Sequence, residues 1–208
     1  MKELDFAALL CSRLCHDLIS PVGAISNGIE ILNDEDDEAM RIEVMKLLEL
    51  SVGQTSNRLK FYRLAFGAAG GMGNQVPIRD AKSATESLFE GSPITLSWNS
   101  EIGELNKNAI KLIMNMILVA SESLIRGGEL MVNITVQSNK INLEVSVRAD
   151  RVIFQDKICE MICGATGQME SDPKLAPAYL AASVAEQINS KIEYTNHNEN
   201  SFTLNIFI

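Results

Sequence analysis

The two histidines of the chain lie in different settings, and only one lies in a pattern that can do chemistry. His16 falls in the middle of a segment with helical periodicity, whereas His197 falls in a polar turn beside Asn196 and Asn198. A neutral imidazole can attack a phosphoryl group in line and hold it as a phosphoramidate of high transfer potential. His16 is therefore the candidate phosphoryl carrier.

Three residues near His16 in the sequence are candidates to assist this chemistry. Asp17 could hydrogen-bond one ring nitrogen and leave the other free as nucleophile. Ser20, one turn later, could bind a phosphoryl oxygen or orient the attacking partner, and Arg13, one turn earlier, could offset phosphate charge. One His-Asp pair is weak evidence, however, and spacing alone favours an ordinary surface histidine beside a surface aspartate.

The helix face that carries His16 has the composition of a docking surface. At about 100° per residue, His16 points roughly opposite Leu14 and Leu18. Its own face carries small or polar residues, which leave room for another protein to approach the ring: Ser12, Arg13, Ser20, Gly23 and Asn27.

Two amphipathic segments predict the helices that position this face. Apolar residues at a spacing of three to four predict a first helix from Asp5 to about Leu32 and a second from near Glu38 to about Ala65, paired as an antiparallel hairpin. Pro21 frees a carbonyl and bends the first helix. The apolar stripe is too broad for two helices. A second copy, giving a four-helix bundle across a two-fold axis, would cover it, although the C-terminal half could cover it instead.

A Gly-rich stretch around residues 67–74 separates this hairpin from the rest of the chain. It follows a helix and lacks the Gly-Lys-Ser/Thr ending of a phosphate loop, which favours a linker. We therefore divide the chain into a dimerisation and phosphotransfer hairpin (1–67), a linker (68–75) and an α/β domain (76–208).

The second half of the chain alternates helical and strand patterns. Helices are predicted over Asp80–Phe89, Asn106–Leu124, Phe154–Cys163 and Pro177–Ile188, and strands over Ile94–Trp98, Leu130–Val136, Ile141–Val147, Ile192–Tyr194 and Phe202–Ile208. This order predicts a sheet with helices on one face. The predicted fold class is α+β, a helical hairpin followed by an α/β sandwich.

Composition narrows the range of partners. The net charge of −9 without a basic patch argues against nucleic acid and against an anionic membrane surface, so the partners should be proteins. The sequence lacks a run near ~18 consecutive apolar residues, and Glu3 and Asp5 stand where a signal peptide would carry basic residues. We expect a cytoplasmic protein.

The four cysteines form two pairs of i, i+4 spacing, Cys11 with Cys15 and Cys159 with Cys163. Two such pairs could make a four-thiolate zinc site, but structural zinc sites favour Cys-x2-Cys knuckles in turns. Apolar neighbours favour buried, reduced cysteines instead.

A family resemblance changes the weight of the His-Asp pair. The segment His16–Val22 resembles the phosphoacceptor box of sensor histidine kinases, His-Glu/Asp-Leu-x-Asn/Thr-Pro-Leu, with Ser20 in place of the Asn or Thr. The wider stretches Arg13–Ile25 and Asn27–Leu32 resemble the first helix of ChpT-type histidine phosphotransferases of alphaproteobacteria.

The second half resembles a degenerate kinase ATP-binding domain. Asn115–Ala120 stands where kinases have Asn-Leu-x-x-Asn-Ala, and the second Asn, a magnesium ligand in kinases, is Val119 here. Val147–Val152 stands near the Asp-x-Gly-x-Gly box without a glycine. Leu175–Ser183 stands near the Gly-x-Gly-Leu-Gly-Leu-Ala box, and side chains such as Tyr179 and Pro177 should obstruct phosphates there. We expect the chain not to bind ATP.

The resemblance implies a homodimer that relays phosphoryl groups through His16 between the receiver domains of a hybrid histidine kinase and of response regulators. Magnesium would then be held by the receiver, and this chain would hold no cofactor. Three alternatives stay open: a working ATP-dependent kinase, a pseudo-kinase dimer that only recruits receivers, and a structural hairpin without phosphate chemistry. Arg58, Lys60 and Tyr62 of the second helix stay unassigned.

Overall fold

The N-terminal part of the chain is an antiparallel helical hairpin, as the sequence predicts. The computed structural model describes residues 3–67, 74–164 and 172–208. Helix α1 spans Glu3–Asp34 and helix α2 spans Glu38–Ala65. Asp37 caps α2, since its Oδ1 accepts from the backbone N–H of Ala39 at 2.9 Å. Arg41 of α2 donates to the carbonyl of Leu32 at 2.6 Å, which satisfies a terminal carbonyl of α1.

The C-terminal part is a mixed sheet covered by helices. Its elements are, in order, β1 (Gln75–Pro77), α3 (Ile78–Leu88), β2 (Ile94–Ser100), β3 (Glu104–Asn106), α4 (Lys107–Ser121), β4 (Gly128–Gln137), β5 (Lys140–Arg148), α5 (Asp156–Ile162), a 3₁₀ turn (Pro173–Leu175), α6 (Ala176–Gln187), β6 (Glu193–Asn198) and β7 (Ser201–Phe207). The α+β class predicted from the sequence is confirmed.

The five-stranded sheet has the order β2-β4-β5-β7-β6, with β2 parallel to β4 and the remaining pairs antiparallel. Ser138 and Asn139 connect β4 to β5 with φ of 49° and 63°, the left-handed geometry of a two-residue hairpin turn. Buried and more exposed residues alternate along β4 and β7, so one face of the sheet meets the helices. Helix α4 lies at the centre of this core and packs against α6.

Hydrophobic burial joins one end of the hairpin to the C-terminal part. Leu9 of α1 and Phe61, Leu64 and Ala65 of α2 belong to the same core cluster as α4 and the sheet. Among the described residues, the C-terminal elements therefore cover the beginning of α1 and the end of α2. Farther along, the hairpin keeps large exposed apolar side chains: Val22, Ile29, Ile31, Met40, Ile42, Met45, Leu47, Leu50 and Val52.

The structure differs from the sequence expectations in local features. The short antiparallel sheet of β1 and β3 and the 3₁₀ turn were not predicted, because three-residue elements carry no periodicity. His197 lies in β6 rather than in a turn, where its ring bonds to the hydroxyl of Thr203 at 2.9 Å. Most of the predicted linker, residues 68–73, lies outside the described residues, and β1 begins inside its predicted C-terminal end.

The expectation that all four cysteines are buried was wrong for the first pair. Cys11 and Cys15 are exposed on α1, whereas Cys159 and Cys163 of the α5 region are half-buried. The periodicity placed Cys11 and Cys15 correctly on a helix but could not show which side of that helix lacks a neighbour. Burial raises the pKa of Cys159 to about 11, so this thiol is inert at neutral pH.

By length and composition, helix α1 is long and apolar enough to cross a membrane, which the sequence expectation did not anticipate. Residues Leu4–Asp34 contain an 18-residue window with a mean hydropathy of 1.2. The same helix carries the buried Arg13 and Asp17 and packs against α2 and the C-terminal elements. Packing within the protein accounts for part of this apolar composition, since 17% of the window is buried.

Candidate phosphoacceptor site

His16 is presented to solvent on α1 with one ring nitrogen engaged. Its side chain is 61% exposed, and Nδ1 lies 2.9 Å from Oδ1 of Asp17. An ionised carboxylate only accepts hydrogen bonds, so the proton of this bond belongs to Nδ1. The lone pair of a neutral imidazole then lies on Nε2. The structure thus contains the Asp17 to His16 bond that the sequence suggested, and it leaves Nε2 as the nucleophilic atom.

Asp17 is buried and is held by three side chains. Its Oδ2 accepts from Nε of Arg13 at 2.7 Å and from the hydroxyl of Tyr62, while its Oδ1 faces His16. Burial alone would raise the pKa of Asp17, but the hydrogen bonds from His16 and Tyr62 and the charge of Arg13 outweigh it and hold the pKa below its usual value. Asp17 therefore stays ionised, as the orientation of His16 requires.

Arg13 does not share the exposed face of His16, and that part of the sequence expectation was wrong. The residue is only 7% exposed and lies between two carboxylates, with Nε on Asp17 and Nη2 2.5 Å from Oε1 of Glu122. Burial lowers the pKa of Arg13, but the charges of Glu122 and Asp17 more than reverse this and raise it. Arg13 lies about 60° around α1 from His16, on the side toward α2. There its guanidinium orients Asp17 and reaches Glu122 of the C-terminal elements.

Pro21 brings a second arginine to the site. A proline lacks the N–H that would bond to the carbonyl four residues earlier, so Pro21 frees the carbonyl of Asp17. Nη1 of Arg58 on α2 donates to that carbonyl at 2.6 Å. Arg58 was left unassigned from the sequence. The carbonyl freed by Pro21 was the feature of the sequence that could have predicted such a donor, because a half-buried acceptor needs a hydrogen-bond donor from a neighbouring element.

The remaining sequence candidates lie on two different helices, most of them on α1 and Lys60 on α2. Ser20 is exposed one turn beyond His16, and Ser12 and Asn27 of the same face are exposed as predicted. Ile19, 73% exposed, adds an apolar side chain beside the ring that the sequence analysis had not singled out. Lys60 lies elsewhere, in a groove of about 630 Å³ between α2, α3 and β1 that also contains Arg63 and Asp80.

We expect Asp17→Asn to slow phosphoryl transfer to His16 about tenfold, since an amide no longer dictates a proton on Nδ1. The lowered pKa of Asp17 also makes the free energy of unfolding depend on pH. In the wild type, the ionised Asp17 contributes its full share of the free energy of unfolding at pH values above the usual pKa of aspartate. That contribution is lost as the pH falls through the lowered pKa. Asp17→Asn should therefore flatten the acid side of a plot of unfolding free energy against pH. An unchanged transfer rate would contradict the role of Asp17.

The residues that stand where kinases bind nucleotide have packing roles in this chain. Asn115 is fully buried, and its Nδ2 donates to the carbonyl of Ala65 at 2.8 Å, which satisfies the end of α2. Val119 is 2% exposed within α4. Ala178 and Ala181 are fully buried in α6, which packs against α4. Within residues 172–187 the backbone thus forms a 3₁₀ turn and a buried helix rather than a phosphate-binding loop.

Metal ligands are not gathered at the site. Among the described residues, three or more His, Cys, Asp or Glu side chains do not come together in a way that could hold a metal ion. Near His16 the arrangement is one exposed nucleophilic nitrogen, one oriented carboxylate and two arginines. This set can accept a phosphoryl group on Nε2 of His16.

The helical hairpin with its exposed histidine, followed by a mixed sheet with helices on one face, is a fold that the chain shares with histidine kinases. In fold alone, the chain resembles the histidine kinase domain of the blue-light-activated kinase EL346 from Erythrobacter litoralis, with a TM-score of 0.50, 10% identity and coverage of 90% of this chain and 95% of that one.

Proteins of higher sequence identity to the chain are named phosphotransferases rather than kinases. Residues 78–200 match the family model of the histidine phosphotransferase C-terminal domain. The chain is 35% identical to the protein phosphotransferase ChpT of Brucella abortus (strain 2308) over 194 residues, which are 92% of this chain and 90% of that protein. It also matches the structure of a bacterial phosphotransferase with a TM-score of 0.87 and 31% identity, covering 99% of this chain and 97% of that one. The chain belongs to the ChpT-type family of histidine phosphotransferases, which are phosphorelay proteins.

Proposed function

We propose that His16 is the residue that carries the phosphoryl group, taking it from the phosphoaspartate of one receiver domain and passing it to the aspartate of another. The observation that carries this proposal is the single oriented imidazole, with Nδ1 on Asp17 and Nε2 exposed. His197, in contrast, lies on strand β6 with its Nε2 bonded to Thr203.

The transfer of the phosphoryl group to His16 does not require a proton to leave the site. Nε2 of His16 attacks phosphorus, the Nε2–P bond forms, and the acyl phosphate P–O bond of the receiver breaks to release its carboxylate. The Nδ1 proton stays in place, and the ring acquires a positive charge that the Asp17 carboxylate stabilises. The reverse steps deliver the phosphoryl group to the next receiver.

Receiver domains are the partners of this reaction, and we expect them to dock on the face of α1 that contains His16. Ser12, Ser20 and Asn27 are exposed there and too short to hold a partner away from the ring, and Ile19 offers an apolar contact. Magnesium belongs in the receiver, where it offsets the charge of the phosphoryl group. Arg58, whose guanidinium donates to the Asp17 carbonyl, is the positive charge that this chain itself adds near His16.

The chain carries out this transfer without ATP and without a cofactor of its own. The Nδ2 group of Asn115 donates to the carbonyls of Ala65 and Lys111, and Val119 replaces the second asparagine of the kinase motif. The valine supports the proposal, because it offers magnesium no oxygen ligand, and so does the buried helix α6, because it leaves no open backbone loop for phosphates.

A homodimer is the arrangement that best accounts for the uncovered side of the hairpin. Met45, Val52 and Leu59 recur every seven residues on α2, and Val22 and Ile29 are seven apart on α1, all about half exposed. Apolar residues with this period pack against other helices in bundles. Val22 and Ile29 lie more than 100° around α1 from His16, so a second copy would leave both rings accessible.

We place the protein in the cytoplasm. Receiver domains work there, and the apolar side of α1 is accounted for by α2, by the C-terminal elements and by a second copy of the chain rather than by lipid. The buried Arg13 to Asp17 pair within α1 supports this placement, since both charges are matched inside the folded protein.

The proposal is tested by comparing two phosphoryl sources. The chain is mixed with a receiver phosphorylated with radiolabel and Mg²⁺, and separately with labelled ATP and Mg²⁺. We expect acid-labile label from the receiver and none from ATP, together with the absence of saturable ATP binding in calorimetry. Self-labelling from ATP would instead show a working kinase. Receiver binding without any label would favour a dimer that only recruits receivers.

A further inference from the structure

A carboxylate of the C-terminal elements, that of Glu122, enters the site of His16. Glu122 follows directly after α4, and its Oε1 lies 2.5 Å from Nη2 of Arg13. Helix α4 is buried from Leu112 to Ala120, and Ser123, next to Glu122, is 2% exposed. The position of this carboxylate is therefore fixed by the rigid centre of the core and not by a surface loop.

Arg13 joins this carboxylate to the phosphoacceptor helix. Its Nη2 forms an ion pair with Glu122, while its Nε donates a hydrogen bond to Asp17 at 2.7 Å, so one planar guanidinium links two carboxylates through different nitrogens. A guanidinium presents its donors in a fixed fork, so holding one end limits how the other end can turn. Arg13 is 7% exposed, and without Glu122 its buried charge would have Asp17 as its remaining close carboxylate.

Asp17 transmits this constraint to the ring. Its Oδ2 binds Arg13 and Tyr62, and only its Oδ1 is directed at Nδ1 of His16. A carboxylate whose second oxygen is held by two donors cannot rotate without losing both bonds. The orientation of His16 therefore depends on Arg13, and the orientation of Arg13 depends on Glu122.

We propose that Glu122 is a positioning residue for phosphoryl transfer: through Arg13 and Asp17 it holds His16 with the proton on Nδ1 and with Nε2 directed outward. The inference rests on the proposed function, in which His16 carries the phosphoryl group. It gives the C-terminal elements a part in the transfer site. The ion pair of Glu122 with Arg13 ties these elements to the phosphoacceptor helix.

The first test compares Glu122→Gln with Glu90→Gln, an exposed carboxylate beyond the end of α3. Glutamine keeps the shape of Glu122 and removes the charge that fixes Arg13. We expect the rate of transfer from a phosphorylated receiver to fall about tenfold in Glu122→Gln and to stay at the wild-type value in Glu90→Gln. A wild-type rate in Glu122→Gln would overturn the inference.

A double-mutant cycle shows whether Glu122 acts through Asp17. In the Asp17→Asn background, Glu122→Gln should change the rate less than about twofold, because the link to the ring is already broken. If the double variant instead shows the product of the two single rate reductions, Glu122 acts independently of Asp17 and the inference is overturned.

The ring itself gives a measurement that general loss of structure does not imitate. Nitrogen NMR of His16 should show the proton on Nδ1 in the wild type and a mixture of both tautomers in Glu122→Gln. Glu122→Asp, which keeps the charge on a shorter chain, serves if the glutamine variant does not fold, with the same shift expected in smaller degree. An unchanged tautomer in a folded variant would overturn the inference.

Failure of the inference is distinct from failure of the proposed function. If the wild type takes label on His16 and Glu122→Gln matches its rate and tautomer, only the positioning role is overturned. If His16→Gln takes label as fast as the wild type, the proposed function is overturned whatever Glu122 does.

Discussion

Replacing His16 with Gln should abolish acid-labile labelling of the chain by a phosphorylated receiver. Glutamine keeps a polar side chain at an exposed helical position but has no nitrogen lone pair that can attack phosphorus. His16 is 61% exposed and makes one hydrogen bond, to Asp17, so the substitution should lower the free energy of unfolding by no more than about 1 kcal/mol. The expected result is therefore a complete loss of label in a folded protein that still binds receivers.

His197→Gln is the matched control for this substitution. It removes the other histidine of the chain, and its partner is the hydroxyl of Thr203 on the exposed side of the sheet. We expect His197→Gln to be labelled at the wild-type rate. Label on His16→Gln, or its loss in His197→Gln, would contradict the assignment of the phosphoacceptor.

Placing a charge on the apolar side of the hairpin should separate the two chains of the proposed dimer. In Val52→Asp each protomer would bring one carboxylate into an interface built from Met45, Leu59 and their counterparts. Burying two unpaired charges costs several kcal/mol, so we expect the dissociation constant of the dimer to rise at least about 100-fold. Sedimentation measurements would then give the mass of one chain where the wild type gives the mass of two.

Ile125→Asp provides the control for a charge on an exposed apolar residue. Ile125 is 68% exposed, close to Val52 in exposure, but it follows α4 and lies outside the hairpin. We expect this variant to remain dimeric. A wild type that sediments as a single chain, or a Val52→Asp protein that stays dimeric, would contradict the proposed interface.

The sequence predicted those features that depend on local periodicity. Both hairpin helices were predicted with ends within two residues of their observed positions, since their apolar residues recur over many turns. The hairpin of β4 and β5 follows from alternation around Ser138 and Asn139. The bond between His16 and Asp17 could be predicted because the two residues are neighbours.

Contacts between distant segments could not be predicted in this way. Arg13 was placed on the exposed face because α1 alone gives no information about Glu122, which arrives 109 positions later along the chain. Tyr62 and Arg58 reach Asp17 only because α2 runs antiparallel to α1 in one particular register. That register is set by the turn and by the core beneath the C-terminal elements, and both are tertiary properties.

The central claim, that His16 carries the phosphoryl group, is tested most directly by locating that group in the chain. Trypsin cuts after Arg13 and Arg41 and after Lys191, so His16 and His197 fall in separate peptides, 14–41 and 192–208. The chain, labelled by a phosphorylated receiver, is digested at alkaline pH, where phosphohistidine survives, and the peptides are identified by mass spectrometry. We predict phosphate on peptide 14–41, fragmented to His16. Phosphate on peptide 192–208, or on an acid-stable serine, would contradict the claim.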